Sequence, residues 1–106
     1  MCGITGFVDF NKQSGLKELR AMASTLISRG PDDSGEELFE LPGANIGLGF
    51  RRLSILDLSP LGHQPMRNGS NGNWIVFNGE IYNFKEIRDE LQTLGHTFIS
   101  NGDTEV

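Results

Sequence analysis

The only cysteine of the chain is its second residue, Cys2, in the opening sequence MCGITGF. A cysteine nucleophile needs a base to remove its proton, and in most cysteine enzymes a histidine does so. Neither His63 nor His96 lies in a recognisable cysteine-enzyme motif. Removal of Met1 would instead free the α-amino group of Cys2, which titrates at about pH 7.7–8.0 and lies beside the thiol. By position alone, Cys2 is either a nucleophile that uses its own amine as base or an ordinary thiol.

Composition limits the classes of protein to which the chain can belong. It has 106 residues, 37% of them hydrophobic and 22% charged, which predicts one globular domain. The net charge is −5, and acidic and basic residues are mixed along the sequence, so we expect no nucleic acid and no membrane as partner. A single cysteine excludes an internal disulfide framework and gives no metal cluster. Without a signal peptide or a long apolar run, we expect a cytoplasmic protein.

The first half of the sequence predicts a strand, a helix and a hairpin. Apolar and β-branched residues follow Cys2, leucine and alanine then recur at helical spacing, and RGPDDSG indicates a turn. The predicted elements are a strand over 3–10, a helix over 16–28, a turn over 29–35 and a hairpin of strands 36–40 and 44–52.

The second half predicts loops around one strand and one helix. Two prolines in residues 53–66 favour an ordered loop, and the polar residues 68–73 a turn. The apolar run WIVF, residues 74–77, predicts a strand buried on both faces. Asn83 followed by Glu86 predicts a helix start with a capping box, Gly95 its end, and residues 97–99 a short strand.

Six motifs occur in a fixed order: MCGITGF, RGPDDSG, FRRLSILD, GHQPM, FNGEIYN and GDTEV. Together they resemble class II glutamine amidotransferase domains, in particular the glutaminase domain of glutamine-hydrolysing asparagine synthetases. The resemblance runs over residues 1–106. It implies an α+β fold, the αββα sandwich of N-terminal-nucleophile hydrolases, in which two antiparallel sheets lie between helix layers. Because family domains are longer, we expect residues 1–106 to form only the first part of such a domain.

The resemblance gives Cys2 the role of nucleophile. Its thiolate would attack the side-chain amide of glutamine, forming a γ-glutamyl thioester and ammonia, and water would then release glutamate. The side-chain amide of Asn78 and the backbone N–H of Gly79 would form the oxyanion hole. Outside this motif, an Asn-Gly pair would more simply indicate a hairpin turn.

The resemblance also assigns the residues that bind substrate. Arg52 would hold the α-carboxylate of glutamine, to which a guanidinium is geometrically suited. Asp103 would pair with the α-ammonium, with Glu80 as a second polar contact. Arg51 would point to the opposite side of the strand and meet solvent. Outside their motifs, each of these residues would be interpreted as an ordinary surface charge.

Two positions depart from the family pattern. Asparagine synthetases usually have histidine before RGPD and before RRLSI, where this chain has Ser28 and Phe50. Neither residue is among those that the resemblance places on the substrate. The substitutions therefore bear on packing around the site, and a contact between the two side chains would make them a coordinated change.

The resemblance implies a wider reaction and leaves alternatives open. In a full-length enzyme, the ammonia would serve the ATP-dependent amidation of aspartate, with ATP and magnesium bound only by a separate synthetase domain. We expect no cofactor in these 106 residues, and we expect them to be inactive or feebly active alone and to self-associate. A different ammonia acceptor, as in surface-polysaccharide synthesis, is one alternative. A non-catalytic truncated fragment is another, and retention of Met1 would favour it.

Overall fold

The computed structural model describes residues 2–54 and 59–106, and they form a mixed α+β fold. Part of the predicted loop over 53–66 lies outside the described residues. Three strands form one antiparallel sheet in the order β1-β3-β2, and two short strands form a second, β4-β5. The elements are β1 (Gly3–Asp9), α1 (Leu16–Ser24), β2 (Asp33–Glu40), β3 (Asn45–Arg52), a 3-10 turn (Pro60–Gly62), β4 (Met66–Arg67), β5 (Trp74–Ile75) and α2 (Phe84–Thr93).

Helix α1 covers one face of the three-stranded sheet. Its buried residues Leu19 and Ala23 lie over Gly49 of β3, whose missing side chain lets the helix approach. A Cβ atom at Gly49 would come within 2.8 Å of Thr5 Cγ2 and 3.4 Å of Leu19 Cδ1. Residues of β1 and β3 that pair directly share a face of the sheet. Glycine in β3 therefore makes room for α1 on that face.

The opposite face of the same sheet is apolar and only partly covered. Ile4 pairs with Phe50, and Val8 pairs with Ile46, so these four side chains lie on the face away from α1. Phe50 is 2% exposed, whereas Ile4 and Val8 are 48% and 56% exposed. We call these residues, Ile4, Val8, Ile46, Leu48 and Phe50, the open sheet face.

The predictions for the first half are largely confirmed. The strand at the start, the helix and the hairpin are all present. Helix α1 ends at Ser24 instead of residue 28, because the Ser24 and Thr25 hydroxyl groups donate to the carbonyls of Ala21 and Met22. Strand β2 begins at Asp33, inside the predicted turn, because its first residues pair with the end of β3.

The second half is less regular than predicted. The turn over 68–73 is present and joins β4 to β5. The strand predicted over 74–77 extends only over Trp74–Ile75, and burial on both faces is wrong, since Ile75 is 44% exposed. The ring of Trp74 makes an edge contact with Phe39, with 5.5 Å between ring centroids. Residues 97–99 form no strand.

Helix α2 confirms the predicted helix but not its cap. It begins at Phe84, and the carbonyl of Asn83 accepts from Ile87 N–H, yet the Asn83 side chain makes no capping hydrogen bond. The prediction of a capping box is therefore wrong. Gly95 has φ of +95°, a conformation that favours glycine, and it ends the helix as predicted. Neither helix in the described parts of the chain is long and apolar enough to cross a membrane.

Candidate active site

The structure brings all six predicted site residues to one cleft. Its volume is about 380 Å³, and the predicted residues that line it are Cys2, Arg52, Asn78, Gly79, Glu80 and Asp103. They come from the start of the chain, the end of β3, the segment after β5 and the segment after α2. The cleft therefore depends on the packing of segments far apart in sequence.

Cys2 lies beside the residue that follows β3. Its half-buried sulfur is 3.3 Å from Leu53 N, whose N–H donates to it, and 3.5 Å from the carbonyl oxygen of Leu53. Arg29 Nε donates to the carbonyl of Cys2 at 3.4 Å. These contacts hold the sulfur next to β3, at the edge where Arg52 also lies.

Arg52 is held by backbone groups at the cleft. Its side chain is 7% exposed, and Nη1 donates to the carbonyl of Ser59 at 2.7 Å. Gly62 packs against the guanidinium so closely that a Cβ atom there would overlap it. A buried guanidinium with a fixed direction can meet an incoming carboxylate at low entropic cost.

The turn over RGPD supports this edge of the sheet. Arg51 points to the opposite side from Arg52, as predicted, and it is half-buried, so it meets solvent only in part. Its half-buried Nε donates to the carbonyl of Gly30 at 2.8 Å. Asp32 accepts from Ser54 N–H at 2.9 Å, and its own N–H donates to the Arg52 carbonyl. The turn thus fixes the backbone on both sides of Arg52.

The segment after β5 contains Asn78, Gly79 and Glu80. Asn78 is half-buried, whereas Gly79 and Glu80 are exposed where they line the cleft. The ring of Phe77 folds against Gly79, and a Cβ atom there would lie 2.8 Å from Phe77 Cζ. Any side chain at position 79 would force the aromatic ring to move.

Asp103 connects the two later segments of the cleft. It is 7% exposed, and its Oδ2 accepts from the backbone N–H of Ile81 at 2.7 Å. Ile81 follows Glu80 directly, so this carboxylate is fixed relative to residues 78–80. The arrangement leaves a buried carboxylate at the wall of the cleft.

A loop over residues 99–105, the Asp103 loop, is held by the side chains of Arg88, which lies in none of the sequence motifs, and of Glu105. Arg88 donates to the carbonyls of Ser100 at 2.7 Å and Gly102 at 2.6 Å, and it lies 5.0 Å from the ring centroid of Phe98. An arginine on an amphipathic helix is usually solvated, so this role of Arg88 could not be predicted from sequence.

Glu105 closes the same loop through its carboxylate. The two oxygens accept from Ile99 N–H at 2.8 Å and from the N–H and hydroxyl of Ser100 at 2.8 and 2.6 Å. Burial alone would raise the pKa of Glu105. The hydrogen bonds from Ser100 and Ile99, with the charge of Arg88, outweigh that effect and lower the pKa.

Gln64 was also not predicted as a site residue, although it lies in the GHQPM motif. It is 5% exposed and lines the cleft. Its Oε1 accepts from Phe77 N–H at 2.6 Å, and its Nε2 donates to Thr104 Oγ1 at 3.2 Å. Only its place in the GHQPM motif, before a proline, could have indicated from sequence that Gln64 belongs to the site.

The two positions that depart from the family pattern differ in burial. Phe50 is buried, lies on the open sheet face and lines the cleft, whereas Ser28 is exposed.

Neither histidine lines the cleft. His63 pairs with Asp33, with 2.6 Å between Nδ1 and Oδ2, and His96 is exposed beyond α2. Within residues 2–54 and 59–106, no three His, Cys, Asp or Glu side chains are placed to hold a metal ion.

Comparisons with known proteins agree on one family. The chain is 43% identical to glutamine-hydrolyzing asparagine synthetase 1 of Bacillus subtilis over 112 residues, which covers 100% of the chain and 17% of that protein. It is 38% identical to putative glutamine-hydrolyzing asparagine synthetase 2 of Methanocaldococcus jannaschii over 120 residues, covering 100% of the chain and 23% of that protein.

A viral relative, the probable glutamine-hydrolyzing asparagine synthetase of Acanthamoeba polyphaga mimivirus, is 38% identical over 92 residues, 86% of the chain and 16% of that protein. The chain thus spans less than a quarter of the length of each of these three relatives. No solved structure shows significant similarity to it. The family model for the glutamine amidotransferase domain matches residues 1–106, and the chain therefore belongs to the glutamine amidotransferase domain family.

Proposed function

We propose that the cleft hydrolyses the side-chain amide of glutamine, with Cys2 as nucleophile. One observation supports this above all. The single cysteine shares a cleft with an arginine, an asparagine-glycine pair and a buried carboxylate, Arg52, Asn78, Gly79 and Asp103. A nucleophile, oxyanion donors and two oppositely charged binding groups are what hydrolysis of an amino-acid amide requires.

The reaction requires that Met1 has been removed. The free α-amine of Cys2 then takes the proton of the thiol, and the thiolate attacks the amide carbon of glutamine. The Asn78 side chain and the Gly79 N–H stabilise the oxyanion that forms. When the C–N bond breaks, the ammonium of Cys2 gives its proton to the leaving nitrogen, and ammonia departs. Water then attacks the thioester, and the amine accepts a proton from it. The C–S bond breaks, the Cys2 thiolate takes that proton back from the ammonium, and glutamate is released.

Two charged residues would orient glutamine in the cleft. The guanidinium of Arg52 would bind the α-carboxylate, and the Asp103 carboxylate would bind the α-ammonium. Both groups are 7% exposed, so water competes weakly for their charges. Glu80 would add a polar contact from the exposed rim of the cleft. Such a pair selects an amino acid over a simple amide.

For the fold, we propose that the three-stranded sheet belongs to an αββα sandwich, with residues 1–106 as part of a type 2 amidotransferase domain. Helix α1 already covers one face of the sheet. The other, the open sheet face, carries Ile4 and Val8 at roughly half exposure. An apolar sheet face of this kind usually packs against a second layer.

For the whole protein, we propose that the ammonia serves ATP-dependent amidation of aspartate by a synthetase domain. The names of the Bacillus and Methanocaldococcus relatives support this acceptor. ATP and magnesium would be bound in that domain and not by the residues described here. A different acceptor would leave the chemistry at Cys2 unchanged.

Intact-mass analysis tests the proposed function. The chain is incubated with a diazoketone analogue of glutamine, and its mass is measured before and after. We expect loss of Met1 and a single adduct on Cys2, with no adduct in Cys2→Ala. Excess glutamine should slow labelling, because it competes for the same cleft.

Two outcomes would contradict the proposal. A chain that keeps Met1 cannot use the α-amine of Cys2 as base, and it would support a non-catalytic role. A processed chain that forms no adduct, both alone and as part of the longer protein, would exclude Cys2 as the nucleophile for glutamine.

A further inference from the structure

We propose that Gln64 is a positioning residue that joins the two halves of the cleft. One half is the segment with the oxyanion donors Asn78 and Gly79, and the other is the Asp103 loop. Gln64 is bonded to the residue before Asn78 and to the residue after Asp103. This role in catalysis rests on the proposed function, whereas the hydrogen bonds themselves can be tested independently.

The amide of Gln64 binds both backbone groups of Phe77. Its Oε1 accepts from Phe77 N–H at 2.6 Å, and its Nε2 donates to the Phe77 carbonyl at 3.4 Å. Strand β5 ends at Ile75, so in the described sheet Phe77 pairs with no strand. The Gln64 side chain thus takes the place of a neighbouring strand and fixes the backbone just before Asn78.

The same amide also reaches the Asp103 loop. Nε2 donates to Thr104 Oγ1 at 3.2 Å, and Thr104 follows Asp103 directly. A single planar group therefore contacts residues adjacent to the oxyanion donors and to the proposed ammonium-binding carboxylate. Rotation of the amide would disturb both contacts together.

The contacts favour positioning over direct binding of substrate. Both polar atoms of the Gln64 side chain already have protein partners, and the residue is 5% exposed. A buried amide in a satisfied network is costly to disrupt, because the groups left behind lose their partners away from water.

Gln64 is itself held against the sheet by a close backbone contact. The carbonyl of Gln64 lies over Gly35 of β2, where a Cβ atom would overlap it. The contact with β2 thus fixes the backbone of Gln64. The side chain of Gln64 in turn holds Phe77 and Thr104 in place relative to β2.

The first experiment replaces Gln64 by methionine, which keeps the length of the side chain but removes both hydrogen-bonding atoms. Gln92→Met, at an exposed position of α2, is the matched control. Both variants are made in the longer protein of which these residues are proposed to be a part. There we expect kcat for ammonia release from glutamine to fall roughly a hundredfold in Gln64→Met, as expected when reacting groups are misplaced by about 1 Å. Alkylation of Cys2 by iodoacetamide, which needs no oxyanion donors, should keep its rate. Equal kcat in Gln64→Met and Gln92→Met would overturn the proposal.

The second experiment removes only the hydrogen bond between Gln64 and Thr104. Thr104→Val keeps the shape of the side chain and removes the acceptor of Gln64 Nε2. We expect KM for glutamine to rise roughly tenfold and kcat to change by less than about twofold, because only the Asp103 side is loosened. A general loss of stability would not separate KM from kcat in this way. Equal losses in kcat for Thr104→Val and Gln64→Met would contradict separate roles for the bonds of Gln64 to Phe77 and to Thr104.

Amide hydrogen exchange separates this inference from the proposed function. Phe77 N–H should exchange slowly in the unchanged chain and in Gln92→Met, and faster in Gln64→Met. If glutamine is not hydrolysed by any form and this difference is seen, the proposed function fails while the positioning of Phe77 by Gln64 holds. If Phe77 exchanges equally in all three forms, Gln64 does not hold this segment, whatever the activity.

Discussion

At the scale of residues, the cleft combines the groups proposed to contact glutamine with groups that hold those in place. Cys2, Arg52 and Asp103 stand in motifs whose residue types match an amide hydrolase, and all three line one cleft. Gln64 and Arg88 could not be foreseen in the same way. A glutamine in a loop or an arginine on a helix is usually solvated, and only the folded chain shows which backbone groups they bind.

Substitution of Arg52 tests the binding of the α-carboxylate. Arg52→Gln should raise KM for glutamine roughly 30-fold, equivalent to about 2 kcal/mol, because a charge-assisted hydrogen bond to substrate is lost. The change in kcat should be smaller, since the contact is the same in the ground state and the transition state. Steady-state ammonia release measures both constants.

Arg67→Gln, at an exposed position of β4, is the control for loss of a positive charge. It should leave KM unchanged. A similar rise in KM for both variants would show that net charge, and not the position of Arg52, determines glutamine binding.

At the scale of elements, apolar periodicity and turn residues predicted the first half of the chain well, because its strands and helix bury regular stripes of side chains. The second half was predicted less well. The apolar run at residues 74–77 forms only a two-residue strand, and residues 97–99 belong to an irregular loop. There, side chains such as Gln64 and Glu105 bond the backbone in place of strand neighbours. Local patterns do not encode bonds of that kind.

Gly35 is expected to be essential for the contact between β2 and the loop over residues 62–66. In Gly35→Ala, the methyl group would overlap the Gln64 carbonyl and lie 2.8 Å from His63 Nε2. We expect a loss of about 1–3 kcal/mol in the free energy of unfolding, measured by urea denaturation. Gly43→Ala, where no atom lies within 4 Å of the new carbon, is the matched control. Equal midpoints for the two variants would argue against a tight contact at Gly35.

The Asp103 loop should loosen in acid because Glu105 becomes protonated. Its pKa in the folded chain lies below the ordinary value of 4.5, so its stabilising contribution is complete above that value. The contribution is lost as pH falls through the lowered pKa of the folded state. Glu105→Gln should therefore lose less stability on acidification than the unchanged chain. Urea midpoints across this range, with exchange of Ser100 N–H, measure the effect, and parallel pH profiles would contradict it.

At the scale of the whole molecule, the sheet has one covered face and one open face. The open sheet face exposes Ile4 and Val8 beside the buried Phe50. In the proposed αββα sandwich, a second sheet would pack against this face. Which side chains are left exposed could be read only from strand register, because a shift by one residue would turn the opposite set outward.

We expect the chain by itself to self-associate through the open sheet face. Ile4→Lys combined with Val8→Lys should lower the average mass in sedimentation velocity, because charged side chains resist burial between two copies. Ala21→Lys, at an exposed position of α1, adds positive charge elsewhere and should leave association unchanged. Association that is equal in all forms, or absent in the unchanged chain, would refute a role for this face.

The cleft joins Cys2, at the start of the chain, to Asp103, nearly its full length away. During synthesis the nucleophile leaves the ribosome long before the carboxylate that would bind the substrate ammonium. Contacts between such distant residues form late, because closing a long loop costs entropy before the contact stabilises it. A nascent chain therefore carries the proposed nucleophile before the residues proposed to bind glutamine have folded around it.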